Sequence, residues 1–252
     1  MSTLPSGAVV ILGATSGVAR PLAAEFAKHG HPIILAARNV EETETIATDL
    51  RVRYRVDVDV LAFDAEDFDA HTAFVDQCIV AAKGSLRGVV LCFGFMDTQE
   101  NAQRDASIAR KTIDVNLTAA VTVLEGFAAH LEKNRSGFIA GLSSVAGDRG
   151  RMTNYIYGAS KAGFTAYLQG LRNRMAHAGV QVTTIKPGFM DTKMTFGMKL
   201  PKPLTASPEQ AAAAMYKAIA AGKSTAYVLW FWRYIMTIIC AIPEFQFKKM
   251  KL

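Results

Sequence analysis

Cysteine is scarce in this sequence, and its histidines are not spaced as metal ligands. The chain has 252 residues but only three cysteines, which lie far apart and form no CxxC pair. The five histidines form neither an HxxxH nor an HExxH motif. These absences exclude a disulfide-rich scaffold and a cysteine-based zinc site. His29 and His31 are close in sequence, but we expect a solvated helix end and loop there and predict no metal site.

A secretory signal and a long basic stripe are also missing. Residues 1–6 contain no basic region and no cleavable apolar segment, so we expect a cytoplasmic protein. The formal net charge is +6, but a nucleic-acid-binding protein would show a longer basic stripe with interleaved aromatic residues. We therefore expect no nucleic-acid partner. Lys248, Lys249 and Lys251 instead concentrate positive charge near the C-terminus, which favours contact with an anionic surface.

The residues that are abundant indicate a globular protein in which strands alternate with helices. Half of the residues are hydrophobic and a fifth are charged, which excludes wholesale disorder. Short, continuous apolar runs are typical of buried strands, and helical patterns separate them. The predicted strands are 9–12, 33–37, 58–63, 89–93, 138–140, 182–185 and 226–229. The predicted helices are roughly 17–29, 41–53, 67–82, 103–132, 157–178 and 208–221.

This alternation predicts an α/β fold with a doubly wound parallel sheet of about seven strands, the Rossmann arrangement. Parallel strands need crossover connections, and right-handed crossovers place helices on both faces of the sheet. No repeat or linker divides the sequence, so we expect one domain over residues 1–229 and an apolar C-terminal helix within an extension over residues 230–252. Residues 190–206 show few periodic signals and are long for a connection, so we predict a functional loop there.

A glycine-rich turn, Gly13-Ala14-Thr15-Ser16-Gly17-Val18-Ala19, joins the first predicted strand to the first predicted helix. Glycines at such a turn let the backbone approach a pyrophosphate closely, and the helix N-terminus offers free N–H groups. The predicted phosphate-binding residues are Gly13, Thr15, Ser16, Gly17 and Val18. A plain turn without a ligand is the alternative, because glycine also serves ordinary turns.

Residues after the second and third predicted strands bear on which dinucleotide binds. Arg38 and Asn39 follow the second strand, where an NAD site of this fold usually carries an acid for the ribose 2′-hydroxyl. The guanidinium of Arg38 would attract a 2′-phosphate, so we predict NADP(H) rather than NAD(H). An exposed charge at the strand end is the alternative. Asp64 follows the third strand and either reaches the adenine amino group or belongs to a solvated acidic stretch.

Tyr157 and Lys161 are four residues apart in a predicted helix, so their side chains share one face. A neighbouring cation favours the phenolate, so we expect Lys161 to lower the pKa of Tyr157 and make it a general acid or base near neutral pH. Ser144 follows the fifth predicted strand, and from there its hydroxyl can bind the same substrate oxygen. Asn116 is a poor helix former within a predicted helix, and we expect it to hold a water linked to Lys161.

Taken singly, these four residues also fit an exposed helix pair, a turn and a polar helix surface. Together, after a glycine-rich turn, they resemble the short-chain dehydrogenase/reductase family over residues 7–230. The resemblance implies that Tyr157 is the acid/base and that Lys161 also holds the nicotinamide ribose. It implies that Ser144 steadies the substrate oxygen and that Asn116 supports a proton-relay water. The cofactor contacts implied beyond the turn and the strand ends are Gly94, Tyr157, Lys161, Pro187, Gly188 and Thr192.

One segment departs from the sequence pattern of the family, and another is similar to one subgroup within it. Leu91-Cys92-Phe93-Gly94 stands where the family usually has Asn-Asn-Ala-Gly, and we expect Cys92 to be a small buried residue rather than a nucleophile. Residues 143–157 are similar to the subgroup that includes the keto-sugar reductase acting on decaprenylphosphoryl ribose. That similarity implies a carbohydrate on a polyprenyl phosphate as substrate. Arg149 and Arg151 either bind an anionic headgroup or are solvated loop charges.

An apolar segment over residues 229–243 follows the last predicted strand. Pro243 ends it after about a dozen residues, fewer than the roughly 20 needed to span a bilayer. Trp230 and Trp232 suit a membrane interface, and the lysines beyond them suit anionic headgroups. We therefore predict a helix that lies on the cytoplasmic face of a membrane. A helix buried against a second subunit or over the substrate pocket is the alternative.

The resemblance implies an NADP(H)-dependent enzyme that reduces a ketone or oxidises a secondary alcohol. We expect the ketone to belong to a lipid or a lipid-linked sugar. The alternatives are a soluble 3-ketoacyl or hydroxysteroid-type reductase, and a Rossmann protein that senses nicotinamide cofactors without turnover. The family also suggests a homo-oligomer.

Overall fold

The chain folds around a seven-stranded parallel sheet, which confirms the predicted fold class. The computed structural model describes residues 4, 6–197 and 200–250. The strands of the sheet are β1 Ala8–Leu12, β2 Ile33–Ala37, β3 Val58–Ala62, β4 Leu86–Leu91, β5 Phe138–Leu142, β6 Gln181–Pro187 and β9 Thr225–Val228. Their spatial order is β3-β2-β1-β4-β5-β6-β9, and each neighbouring pair is parallel.

Helices cover both faces of this sheet. Those of the described residues are α1 Ala19–Lys28, α2 Val40–Tyr54, α3 His71–Ala81, α4 Gln99–Arg104, α5 Ala106–Ile113, α6 Ala119–Asn134, α7 Tyr155–Ala176, α8 Pro208–Ala220, α9 Trp232–Ala241 and α10 Glu244–Phe247. On one face, α1, α2 and α8 bury their apolar residues against the strands. On the other face, α3, α6 and α7 do the same. The central strands β1, β2 and β5 are therefore buried at every position, as their continuous apolar runs predict.

The single helix predicted over residues 103–132 is wrong in one respect, because the chain forms several helical segments there. α4 ends at Asp105, whose carboxylate accepts a hydrogen bond from Ser107 N at 2.8 Å and so begins α5 as its N-cap. Asp114–Thr118 then forms a π-helical turn before α6 begins. Such turns are frequent at functional sites.

The strand order places a crevice at the carboxyl ends of β1 and β4. From β1 the chain builds the sheet outward through β2 and β3, and it then returns to place β4 on the other side of β1. The loops that leave β1 and β4 therefore run to opposite faces of the sheet. Doubly wound sheets bind ligands in the crevice that this divergence leaves.

A covering segment, residues 189–206, follows β6 where the sequence predicts a functional loop. Its ends pair with each other, because β7 Phe189–Met190 is parallel to β8 Thr205–Ala206. Between them, Lys193–Thr195 forms a short 3₁₀ turn in which Thr192 and Thr195 cap each other. Residues 198–199 lie outside the described residues.

The C-terminal extension forms α9 and α10 and packs on the domain. α9 has ten residues and is too short to cross a bilayer, as the position of Pro243 predicts. Trp232 and Met236 on its inner face are buried against Val145. Among the described residues, Ala106–Asn134 is the stretch long and apolar enough to span a membrane, but half of its apolar window is buried inside the protein.

Candidate active site

A groove of about 590 Å³ opens at the carboxyl ends of the central strands, at the crevice described above. One end contains the glycine-rich turn and the residues that follow β2 and β3. The other end contains Tyr157 and Lys161. The predicted residues that line this groove are Gly13, Thr15, Ser16, Gly17, Val18, Arg38, Asn39, Asp64, Gly94, Tyr157, Lys161, Pro187 and Thr192.

The glycine-rich turn is tight, and side chains at its glycines would not fit without movement. Gly13 has φ +80°, a left-handed conformation, and a Cβ there would lie 2.6 Å from the backbone N of Phe93. Gly17 lies under the covering segment, and its Cβ would be 3.1 Å from Thr192 Cβ. The turn therefore brings bare backbone to the groove at the start of α1, which suits close approach by a phosphate.

Charged and polar side chains surround the end of β2. Arg38 Nη1 lies 3.9 Å from Glu66 Oε2, and the same carboxylate oxygen is 2.8 Å from Lys111 Nζ. The side chain of Asn39 accepts a hydrogen bond from Glu42 N at 3.0 Å and so caps α2. This end of the groove carries both cations and carboxylates. Arg38 is therefore already paired with the Glu66 carboxylate before an anionic ligand binds.

Asp64 lies in the groove wall just beyond β3, where the sequence places it. Its Oδ1 accepts a hydrogen bond from Glu66 N at 3.0 Å. That bond fixes the carboxylate at the start of the turn after β3, and the remaining oxygen atom keeps lone pairs for a further donor.

Tyr157 and Lys161 face the groove from α7, and Ser144 lies beside Tyr157 after β5. The Ser144 hydroxyl is close enough to the Tyr157 phenol to influence its ionisation. Lys161 is 3 % exposed and its Nζ donates to the carbonyl oxygen of Leu142 at 3.0 Å. The Nζ lies 5.8 Å from the centre of the Tyr157 ring. The structure thus brings the three predicted side chains together, with Tyr157 and Lys161 in the groove wall and Ser144 next to it, although the serine that lines the groove itself is Ser143.

The neighbouring Ser143 has a different position. Its Oγ donates to the carbonyl oxygen of Lys161 at 3.0 Å and lies 2.7 Å from Thr165 Oγ1. Ser143 therefore holds α7 against β5. Ser144 Oγ accepts a hydrogen bond from Ala146 N at 3.0 Å, which still leaves its proton for another acceptor.

The ionisation of the pair differs from the sequence prediction. Burial raises the pKa of Tyr157 to about 12, although its interaction with the Ser144 hydroxyl lowers the pKa in part. Burial also lowers the pKa of Lys161 to about 8. The expectation that Lys161 depresses the pKa of the phenol is thus wrong for this structure, because the removal of water disfavours both charged forms.

Asn116 lies in the π-helical turn, and its side-chain amide forms hydrogen bonds with other residues of the protein. Its Oδ1 accepts from Phe95 N at 2.7 Å, and its Nδ2 donates to Phe95 O at 2.7 Å and to Ser160 Oγ at 3.1 Å. A Cβ on Gly94 would lie 3.1 Å from Asn116 Oδ1 and 3.5 Å from Lys161 Nζ. Asn116 is therefore close to Lys161, but both of its amide hydrogens are already bonded, so a relay water could only donate to Oδ1.

Gly188, also predicted to contact a cofactor, packs instead on the C-terminal extension. A Cβ there would be 2.0 Å from Trp232 Cε2, and the indole N–H of Trp232 donates to Leu204 O at 3.2 Å. Gly188 is therefore a contact point between β6 and α9, and the neighbouring Pro187 faces the groove.

Arg149 is held by the C-terminal extension. Its Nη1 donates to the carbonyl oxygens of Ile239, Cys240 and Ile242 at 2.9, 3.0 and 2.6 Å. Its Nη2 lies 2.9 Å from a carboxylate oxygen of Glu244. The guanidinium therefore caps the end of α9, and neither of the roles that the sequence left open, a ligand for a headgroup or a solvated charge, describes it.

Sequence reasoning missed much of the groove wall. The apolar lining that it did not assign to the site is Ala37, Phe63, Ala65, Cys92, Phe93, Phe95, Met96, Val115, Leu142, Met190 and Met194. The charged lining that it did not assign is Glu42, Glu66, Lys111 and Lys193. Residues 92–96 follow β4 directly, so their place at the carboxyl edge could have been inferred. Burial raises the pKa of Cys92 to about 12, which suits an inert thiol.

Comparison with known proteins gives the same architecture. Residues 7–200 match the family described as short chain dehydrogenase. An uncharacterized oxidoreductase of Mycobacterium tuberculosis is 35% identical over 242 residues, which are 96% of this chain and 96% of that protein. A bulky-bulky ketone specific alcohol dehydrogenase from Comamonas testosteroni superposes with a TM-score of 0.79 at 21% identity, covering 95% of this chain and 96% of the other.

A short-chain dehydrogenase from Sphingobium yanoikuyae in complex with NADPH superposes with a TM-score of 0.78 at 22% identity, covering 94% of this chain and 97% of the other. At these identities the two structures show the fold alone. Within the described residues, no group of three histidine, cysteine or acidic side chains is placed to hold a metal ion. The family match and the mycobacterial relative, together with the groove at the sheet's crevice, establish that the chain belongs to the short-chain dehydrogenase family.

Proposed function

We propose that the protein is an NADP(H)-dependent oxidoreductase that reduces a ketone or oxidises the corresponding secondary alcohol. One observation carries the proposal: Tyr157, beside Ser144 and close to Lys161, stands at one end of a groove whose other end is a glycine-rich turn. A dinucleotide bound along such a groove has its phosphates at the turn and its nicotinamide near the phenol. The names of the mycobacterial relative and of the ketone-specific neighbour support the same class of reaction.

The groove residues fit a nicotinamide dinucleotide. The left-handed turn at Gly13 and the start of α1 offer backbone N–H groups to the two phosphates. Arg38 and Asn39 follow β2 where an acid would favour a free 2′-hydroxyl, so this end favours a 2′-phosphate and hence NADP(H). The NADPH complex of a structural neighbour is consistent with that preference. When bound, NADPH supplies a hydride to the carbonyl carbon.

The side chains at the other end of the groove supply the proton and stabilise charge. Tyr157 has a pKa well above neutral, so its hydroxyl holds the proton that the substrate oxygen takes up during reduction. Ser144 donates a hydrogen bond to the same oxygen. Lys161 is positively charged below pH about 8 and stabilises the negative charge that develops there. Asn116 keeps the π-helical turn in place beside Lys161.

The substrate that we propose is a ketone on a lipid or a lipid-linked sugar. Residues 143–157 resemble the keto-sugar reductase subgroup, and this stretch contains Ser144 and leads into Tyr157. The outer face of the C-terminal extension supports a lipid location. Trp230, Tyr234 and Ile238 are 73%, 61% and 68% exposed and follow one another at four-residue intervals. Lys248 and Lys249 are exposed after this face, where they suit anionic headgroups.

We therefore place the protein in the cytoplasm, peripheral to the membrane's inner face, with the extension over residues 230–252 in contact with lipid. We also propose a homo-oligomer, which the resemblance to the family suggests. Residues 251–252 lie outside the described residues.

The test is the substitution Tyr157→Phe, assayed as NADPH oxidation against a panel of ketones that includes long-chain and lipid-linked ones. Loss of the hydroxyl should lower kcat by about 10²–10⁴-fold, the usual contribution of a general acid. The Kd for NADPH should change less than about twofold, because only the proton donor is removed. Tyr155→Phe is the matched control, since Tyr155 lies on the same helix and its hydroxyl donates to Gln103. Unchanged turnover in Tyr157→Phe would contradict the proposal.

A further inference from the structure

A lysine of the covering segment reaches the end of the groove that holds Arg38. Lys193 Nζ lies 3.6 Å from Glu42 Oε1, near the start of α2. Both residues line the groove together with Arg38 and Asn39. The covering segment therefore extends from β6, near Tyr157, to the side of the groove where a ribose phosphate is expected.

The neighbouring residue shows how the segment crosses the groove. Thr192 lies directly over the glycine-rich turn, because a Cβ on Gly17 would be 3.1 Å from its Cβ. The chain thus passes above the position proposed for the pyrophosphate, and Lys193 follows on the far side. The Lys193 side chain is exposed, and its four-carbon stem lets the ammonium move without a change in the backbone.

The cations and carboxylates at this end of the groove form ion pairs with one another, and a bound phosphate would alter those pairs. Arg38 lies 3.9 Å from Glu66, whose carboxylate is also paired with Lys111. The Glu42 carboxylate accepts a hydrogen bond from Asn39 Nδ2 at 3.4 Å, which keeps it next to Arg38. A phosphate monoester carries about −1.5 to −2 charges at neutral pH. At Arg38 it would repel Glu42 and attract the Lys193 ammonium more strongly than one carboxylate does.

We propose that Lys193 exchanges Glu42 for the 2′-phosphate when NADP(H) binds, so that the cofactor holds residues 189–197 over itself, an exchange that we call the latch. This inference rests on the proposed preference for NADP(H). Arg38 then binds the phosphate from the side of the sheet, and Lys193 binds it from the covering segment. NAD(H) has no phosphate at this position and leaves the Lys193–Glu42 pair intact. Lys193 is thus a specificity-determining residue, and Glu42 competes for it.

The experiment compares the Kd values of NADPH and NADH, measured by fluorescence titration, for the full chain and its variants. Lys193→Met should weaken NADPH binding about fivefold to tenfold, the worth of one partly exposed charge-assisted hydrogen bond, and change NADH less than about twofold. Glu42→Gln should tighten NADPH binding about threefold or more, because it removes both the competing partner and a repelling charge. Lys202→Met is the matched control on the same segment, since Lys202 lies outside the groove lining, and it should change neither Kd.

Arg38→Ala separates the failure of the latch from the failure of the proposed cofactor preference. If the wild type binds NADPH no tighter than NADH and Arg38→Ala changes neither Kd, the preference for NADP(H) fails and the latch fails with it. If Arg38→Ala abolishes a preference that Lys193→Met leaves intact, only the latch is overturned. The latch is also overturned if Lys193→Met weakens the binding of NADPH and NADH equally. Lys193 would then bind a group that both dinucleotides contain, and not the 2′-phosphate. Circular dichroism confirms that each variant is folded.

Discussion

At the scale of single residues, burial determines the ionisation of Tyr157 and Lys161. The Tyr157 phenol has a pKa raised to about 12, and the Lys161 ammonium has a pKa lowered to about 8. Near neutral pH the phenol therefore keeps its proton, which suits a proton donor in ketone reduction. Lys161 is the group that changes charge first as the solution becomes alkaline. As the pH rises, the rate of the proposed reduction should thus change first through the deprotonation of Lys161 and only at higher pH through that of Tyr157.

We predict that kcat/KM for ketone reduction with NADPH is level below pH about 8 and falls above it. The folded-state pKa of Lys161 is lower than that of a free lysine, so the positive charge that stabilises the substrate oxygen is lost as the pH rises through about 8. Lys161→Arg keeps a charge at every accessible pH and should remove this decline, at a lower overall rate. Stopped-flow or steady-state rates from pH 6 to 10 measure the effect, and a decline that persists in Lys161→Arg assigns it to another group.

At the scale of secondary-structure elements, α9 packs against the loops beside the groove with one face and is exposed on the other. Its inner face buries Trp232 and Met236, and Trp232 packs on Gly188 beside the groove. Arg149, from the loop between Ser144 and Tyr157, caps its C-terminal end. The residues that hold α9 in place are thus on the loops that shape the active site. Its outer face is left apolar and exposed, which is costly unless it meets lipid or another protein.

We predict that the protein floats with phosphatidylglycerol vesicles through this outer face. Tyr234→Glu combined with Ile238→Glu should reduce the bound fraction at least about fivefold, because both positions lose apolar contact and gain charges that anionic headgroups repel. Val80→Glu is the matched control, since Val80 is also a strongly exposed apolar residue but lies on α3. Added salt should weaken the lysine contribution. A wild-type protein that stays wholly in the soluble fraction would exclude the lipid partner.

At the scale of the whole molecule, one ligand would connect parts of the chain that are far apart in sequence. The groove is lined by the turn after β1, the ends of β2 and β3, the residues after β4, one face of α7 and the covering segment. A dinucleotide in the groove would contact all of these parts in the folded state, whereas the unfolded chain does not bring them together. Cofactor binding should therefore stabilise the entire domain.

We predict that NADPH raises the melting temperature more than NADH at the same concentration. At about 100 times its Kd, a ligand adds about 2.7 kcal/mol to the free energy of unfolding, which is about 5–10 °C for a domain of this size. Arg38→Ala should bring the NADPH shift closer to that seen with NADH, and Lys193 accounts for the difference that remains. Arg20→Ala is the matched control, because Arg20 is an exposed arginine of α1 outside the groove lining. Equal shifts for the two dinucleotides in the wild type would contradict the proposed preference.

The sequence by itself determined the parallel sheet, the glycine-rich turn and the pairing of Tyr157 with Lys161. Each is indicated by a local pattern in the sequence: short apolar runs that alternate with helical stretches, a glycine-rich strand-to-helix turn, and a four-residue helical spacing. The sequence motifs of the short-chain dehydrogenase family could be recognised for the same reason. The break at Asp105 was not anticipated, although its capping bond is also local, because the helical pattern continues across it.

Only the tertiary structure decided how these parts act on one another. The direction of the Tyr157 pKa depends on how much water the surrounding elements exclude, and no spacing in the sequence measures that. The partners of Arg149, Gly188 and Lys193 lie 90, 44 and about 150 residues away along the chain, in α9 and α2. Interactions over such separations exist only once the sheet has brought the loops at its carboxyl edge together, and for that reason folding, and not the local sequence, brought those three residues to their partners.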